Sequence, residues 1–285
     1  MYSKTTFAGN AARHLLIWAA IAFALFPVLW IFSASLSPSN TLIGQSLIPG
    51  NMSWVHYRDL FRSPELPFGR WIWNSVRIST VTALLTVFLT ALAAYSFSRF
   101  RFKGRRMGLF TILIVQIFPQ MLAMVAIYLL LLGLGKVAPW IGLNSYLGLV
   151  LVYLGGAMGF NTWLVKGFFD TIPRSLDESA MMDGASHFQS FWRIVVPLAR
   201  PILAVIFILQ FIATYSDFLL ASVLLSDAHT YTFAVGLKFF ITDQYAARWG
   251  TFAAASVLGA LPIVVVFLLL QEQFVSGLTR GAVKG

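Results

Sequence analysis

The sequence predicts an all-α membrane protein: six transmembrane helices, with a cytoplasmic helix–turn–helix between the fourth and the fifth. Three observations lead there. Hydrophobic residues make up 59% of the chain and charged residues 11%, against about 25% charged in a soluble domain, so there is too little polar side chain to cover a water-facing surface. The apolar residues gather in runs of roughly 20, the length a helix needs to cross a bilayer. One long polar stretch, Thr171 to Pro201, interrupts these runs and carries helix signals of its own.

The first span is expected at Leu15 to Leu36, after a basic start with Lys4, Arg13 and His14. Ser33-Ala34-Ser35 could pass for a cleavage site. The run exceeds the roughly 7–15 residues of a signal-peptide core, however, so a retained anchor is expected. A polar loop with Pro38, Pro49, Pro64 and Pro67 leads to the second span, Trp73 to Phe97. The third is Met107 to Leu134 with Pro119 inside, the fourth Ser145 to Val165, the fifth Ile202 to Leu225 and the sixth Gly250 to Leu270, with a tail from Gln271. The chain thus reads as one transmembrane domain, 1–285, with core spans over 73–271.

A net charge of +10 could suggest nucleic acid, but the cations lie in short loops beside the spans, which is a topology pattern; no nucleic-acid partner is expected. An even number of spans puts both termini on one side. With the N-terminus inside, the inner segments hold 13 Lys and Arg, among them Arg99, Arg101, Lys103, Arg105 and Arg106, and the outer segments hold 7. The positive-inside rule therefore places both termini and Thr171–Pro201 in the cytoplasm. Trp30, Trp71, Trp73, Trp140 and Trp249 fall near the expected outer ends, where indoles favour the headgroup layer.

Within 171–201, Ser175-Leu176-Asp177-Glu178 has the form of a capping box and can start a helix. Gly184 can take the left-handed conformation that ends it. Ser186-His187-Phe188-Gln189 is a second box, and Pro197 and Pro201 punctuate the entry into the next apolar run. Leu176, Ala180 and Met181, then Phe188, Phe191, Trp192 and Val195, recur at helical spacing. A joining loop needs only a few residues. Thirty residues with two caps and an apolar face predict a surface built to dock.

Catalytic signals are missing. Gly135-Lys136 is followed by Val137, with Leu130 where a phosphate-binding loop needs its first glycine. Cysteine is absent, and His14, His56, His187 and His229 are scattered over both sides of the membrane, so neither a metal site nor an enzyme is expected. Asp217 is the single acid inside an expected span and a candidate for lining a solute path or for a structural bond. Gln116, Gln120, Asn161, Thr162, Gln210, Thr214 and Tyr215 bring further polar groups to the spans, some of which must face the bundle interior. Pro27, Pro119 and Pro262 can kink their helices. Gly155 and Gly159 form G-x-x-x-G, which permits close helix contact. An ion-coupled carrier or channel is the alternative reading, and it predicts more than one buried ionisable group.

Glu178-Ser179-Ala180-Met181-Met182-Asp183-Gly184-Ala185, with Ile194 and Pro197 downstream, resembles the EAA loop of ABC importer permeases. Phe168-Phe169 and Ile172-Pro173 resemble the family's lead-in, and Tyr231-Thr232 with Val235-Gly236-Leu237 its outer loop. The ending Gly277–Gly285 is similar to that of carbohydrate permeases of the maltose type, in particular the shorter of two permease subunits. Tyr215-Ser216-Asp217 stands where the family tends to have Trp-Asn-Glu/Asp. The resemblance implies a bacterial or archaeal plasma (inner) membrane subunit that encloses a translocation path with a second permease. An extracytoplasmic binding protein would deliver a di- or oligosaccharide. An ATPase dimer in the cytoplasm would bind the ATP and magnesium, leaving no cofactor in this chain. Its docking residues would be Glu178, Ser179, Ala180, Met181, Met182, Asp183, Gly184, Ala185, Phe188 and Pro197, and the path residues Gln116, Gln120, Asn161, Gln210, Thr214, Tyr215 and Asp217.

Overall fold

A computed structural model describes residues 7–41, 43–62, 66–242 and 247–282, with side chains of 7, 8, 120 and 274–282 left aside. Lys4 and Lys284 of the inner-charge count, and Val283 to Gly285 of the ending, lie outside the described residues. Among the described residues every regular element is helical: α1 Phe7–Leu36, α2 Val55–Arg62, α3 Phe68–Arg99, α4 Arg105–Ile117, α5 Gln120–Val137, α6 Tyr146–Thr171, α7 Arg174–Met182, α8 His187–Ser190, α9 Val196–Leu198, α10 Arg200–Tyr215, α11 Leu219–Leu224, α12 Phe233–Leu237 and α13 Trp249–Ala282.

Among the described residues four helices are long and apolar enough to cross a membrane: Gly9–Leu36 within α1, α3, α6 and Trp249–Gln273 within α13. There are up to six if two bent pairs each count as one span. The third expected span is one of these pairs. Phe118 and Pro119 are extended between α4 and α5, which turn by 98°. Pro119 has no N–H to give and drives the residue before it out of helical geometry. Pro27 and Pro262 interrupt nothing; both lie inside continuous helices. The fifth expected span is also shorter than expected. It ends at Tyr215, and the chain breaks at Ser216–Phe218 before α11. Conversely, α13 runs from Trp249 through the expected tail to Ala282.

The chain divides into two compact units, 1–68 with 237–261, and 69–236 with 262–285. In the first, His56 of α2 is buried and clamped by its ring nitrogens, Nε2 at 2.8 Å from the Ser37 carbonyl and Nδ1 at 3.3 Å from Thr251 Oγ1. The Trp249 N–H donates to the Asn40 carbonyl at 3.1 Å, so the start of α13 is stitched to the loop after α1. Most of α1 is bare, including Leu15, Trp18 and Phe23. Such a surface is stable only against lipid or another apolar chain.

The second unit has two apolar centres at opposite ends of α3. Near its start, Ile78 packs with Leu131, Leu149, Tyr153, Leu154, Ala221 and Leu224. Near its end, Ala91, Ala94 and Tyr95 pack with Val165, Phe169, Ile172, Phe191, Val195, Leu203 and Ile206. The latter cluster takes residues from α3, α6, the helical turns after α7 and α10, so the polar stretch is folded onto the ends of the spans.

Candidate coupling and translocation sites

The stretch after α6 forms an elbow. The chain leaves α6 through extended Ile172 and Pro173, and α7 begins at Arg174 with Pro173 as its N-cap. The expected Ser175–Glu178 box is not made, because Ser175 already lies inside the helix and no side chain caps it. Proline ahead of the first turn has the fixed φ and missing N–H suited to that position. At the other end, Gly184 has φ +85°. Its N–H donates to the Met181 carbonyl at 3.0 Å and the Ala185 N–H to the Ala180 carbonyl at 2.9 Å, the two bonds of a Schellman turn. The second box is complete: Ser186 Oγ accepts from the Gln189 N–H at 3.2 Å, and Gln189 Oε1 from the Ser186 N–H at 2.7 Å. The helix it starts soon widens into a π-helical turn, Phe191–Val195.

Of the expected docking residues, Glu178, Ser179, Met181, Met182, Asp183, Gly184 and Phe188 are exposed, and Ala180, Ala185 and Pro197 are half-buried. Met182 is 88% exposed and Phe188 61%, a cost in water that an apolar partner removes. Trp192, also exposed, stacks 6.4 Å from Phe88 of α3. Between the two arms of the elbow lies a cavity of about 360 Å³ bordered by Asp183, Gly184, Gln189 and Arg193.

The inner face is held by charge, which the sequence patterns do not reveal. Arg99 Nε and Asp177 Oδ2 lie 2.8 Å apart, both side chains nearly inaccessible. The atoms lack the alignment of a directed hydrogen bond, so this contact is chiefly Coulombic. The other Asp177 oxygen accepts from Ser190 Oγ, and an Arg99 terminal nitrogen donates to the Ile172 carbonyl at 3.0 Å. Beside them Arg174 donates to the Ser98 carbonyl at 2.8 Å, Ser98 Oγ to Asp170 at 2.7 Å, and the Tyr95 hydroxyl to the His187 carbonyl at 3.2 Å. In the sequence Asp177 is only the middle of a capping box and Arg99 one of five loop cations. No local pattern links two residues so far apart in the chain.

The expected path residues separate into groups. Gln210, Thr214 and Asp217 line one cavity of about 290 Å³ together with Tyr153. There the Tyr153 hydroxyl donates to Asp217 Oδ2 at 2.8 Å, the Ala221 N–H donates to the same oxygen at 3.0 Å, and Gln210 donates to Thr214 Oγ1 at 3.1 Å. Asp217 therefore does two things: it satisfies a backbone N–H freed by the helix break and faces an open space. Gln116 belongs to a neighbouring, mostly apolar cavity of about 740 Å³ between α4, α5 and α6, and its amide donates to the Gly156 carbonyl. Val152, Gly156 and Leu220 form the wall common to both cavities. Asn161 and Thr162 bond back to the carbonyls of Ala157 and Met158 on their own helix. Tyr215 is buried against Phe211, ring centroids 5.7 Å apart, and lines neither cavity. The Gln120 side chain lies outside the described residues. Tyr153 is the cavity group that sequence reasoning misses; its hydroxyl sits inside an apolar run with no signal around it.

Residues 86–280 match the family described as binding-protein-dependent transport system inner membrane component. The chain belongs to this family. Elbow, α10 and both cavities fall in the matched range. The chain is 44% identical over 285 residues to the maltose/maltodextrin transport system permease protein MalG of Photorhabdus laumondii, covering 96% of this chain and 95% of the relative. It is 43% identical over 283 residues to MalG of Escherichia coli strain K12, covering 95% of each. Among solved structures it resembles a chain of a bacterial ABC transporter involved in the import of the acidic polysaccharide alginate, with TM-score 0.78 and 25% identity over 96% of this chain and 99% of the other. A chain of a second structure, of a bacterial alginate ABC transporter in complex with an alginate pentasaccharide-bound periplasmic protein, has TM-score 0.63 at 20% identity and shares the fold. The chain is thus a membrane-embedded component of a binding-protein-dependent transport system.

Proposed function

We propose that this chain is one of two permease subunits of an ATP-driven, binding-protein-dependent importer of a neutral di- or oligosaccharide, coupled to a cytoplasmic ATPase pair through its elbow. The observation that carries this is the elbow: a rigid inner face locked to the ends of α3 and α6, and an outer face bearing Met182 and Phe188 with Glu178 and Asp183 beside them. Nothing in a free subunit rewards that exposure; a cleft in a partner does.

In this reading the chain spans the membrane six times with both termini in the cytoplasm, and its spans enclose the path together with a second permease. Nucleotide-driven closure of the ATPases moves the elbow, and the helices tilt as rigid rods to turn the cavity outward. ATP and magnesium belong to the partners. Sugar arrives at the outer side from a binding protein. The Gln210–Thr214–Asp217–Tyr153 cavity offers acceptors, hydroxyls and an aromatic ring but no cation among its lining residues. That set suits the hydroxyls of a neutral sugar, as the maltose/maltodextrin relatives would take, better than the carboxylates of an acidic one.

Purification in mild detergent tests the assembly, with a second permease and an ATPase pair expected to accompany this chain. A cysteine at Glu178, unique in a cysteine-free chain, tests the topology. Labelling of that cysteine from outside intact cells by a membrane-impermeant maleimide would sink the reading.

A further inference from the structure

Resting on the importer reading above, we propose that the buried Arg99–Asp177 pair is the joint through which elbow movement enters α3 and α6, with both residues positioning residues for coupling. Four chain segments converge there: the end of α3 through Arg99, the end of α6 through the Ile172 carbonyl, α7 through Asp177, and α8 through Ser190. The pair lies on the inner face of α7, whereas Met182, five residues on and away from that face, is 88% exposed. A push received at Met182 therefore crosses one short helix to reach Asp177.

Simple anchoring does not account for these charges. A buried ion pair gains little over apolar residues of the same volume, because desolvation offsets the attraction. An apolar anchor is already present, since Tyr95, Ile172, Phe191 and Val195 pack around the same point. Apolar contact is non-directional and lets surfaces slide. A guanidinium is planar, with donors in a fixed fork. Arg99 uses that fork on the Ile172 carbonyl at 3.0 Å and on Ser98 Oγ at 3.4 Å, which holds its Nε 2.8 Å from Asp177 Oδ2. The directed bonds fix Arg99 against α3 and α6 and Asp177 against α8, and the buried attraction between the two charges resists their separation, which a lever needs and a static anchor does not.

Two variants test this in the complete transporter reconstituted in liposomes. Arg99→Lys keeps the charge and removes the fork. Arg99→Met with Asp177→Leu removes both charges and leaves apolar volume. Both are expected to assemble with the ATPase pair and to hydrolyse ATP close to the unaltered rate. Sugar taken up per ATP should fall by about tenfold in the double variant, within the usual range for coupling between linked sites, and by less in Arg99→Lys. Unchanged uptake per ATP in both variants overturns the proposal, because a merely structural pair permits that result. A third measurement stands if either variant fails to assemble. Spin labels at Ser175→Cys and Arg101→Cys, in partners freed of cysteine, report the distance across the joint in the otherwise unaltered chain. The distance is expected to stay the same with and without ATP; a change with nucleotide overturns the proposal. A chain that purifies with no ATPase fails the importer reading instead, before any coupling ratio is measured.

Discussion

Replacing Gly184 separates the shape of the elbow from what the elbow touches. Its φ is +85°, and among the described residues, its chain neighbours aside, nothing lies within 4 Å of where a Cβ would stand. Any L-residue there costs about 1–2 kcal/mol of backbone strain, nearly independent of its side chain. A cost of that size changes a population ratio about 5- to 30-fold, and the turn has reserves against it in the Met181 and Ala180 carbonyl bonds and the adjacent capping box. Gly184→Ala and Gly184→Trp therefore share one backbone penalty and meet no described residue beyond their chain neighbours at Cβ. They differ in the bulk they present outward. Both are expected to insert and fold. Gly184→Ala should keep most ATPase association and uptake, whereas Gly184→Trp should lose them by blocking the partner. Co-purified ATPase and proteoliposome uptake measure this. If the two variants associate and transport equally well, nothing docks at the turn and the coupling reading of the elbow is wrong.

Single contacts give three further expected outcomes. Ser186→Ala should destabilise the elbow by about 1 kcal/mol through loss of a working N-cap, and Ser175→Ala should be close to neutral because its box is not formed; thermal melts in detergent compare them. Asp217→Asn keeps an oxygen acceptor for Tyr153 and the Ala221 N–H, and should insert normally. Asp217→Ala leaves those two donors unmet at about 1–3 kcal/mol and should reduce uptake more than insertion; equal loss of both would make the residue purely structural. In Gly236→Ala the new methyl would stand 2.2 Å from the ring of Trp71, which is fully buried and donates from Nε1 to the Ala228 carbonyl at 2.7 Å. A lowered melting temperature, from about 1–3 kcal/mol of overpacking, is the expected result.

The features legible in the sequence are those that short windows encode. Hydropathy set the long helices, because a span needs only its own residues to be apolar. The Ser186–Gln189 box and the left-handed Gly184 were visible because both are contacts between residues a few positions apart. The same local logic failed at Ser175, where Pro173 just before it claimed the helix start. It failed again where an apolar run hid a break. Hydropathy averaged over a span runs on through Phe118–Pro119 and past the short polar cluster at Thr214–Asp217, but the backbone breaks at both places.

Composition and local signals determined that this chain is a helical membrane protein with an elbow between two of its apolar runs, since lipid solubility and turn formation depend on neighbours along the chain. Tertiary structure alone decided which side chains meet. It paired Arg99 with Asp177, placed Tyr153 on Asp217, gathered Gln210 and Thr214 into that cavity, and sent Tyr215 and Gln116 elsewhere. Those assignments come from the packing of helices distant in sequence, where burial makes each charge and each free backbone N–H seek the one partner within reach.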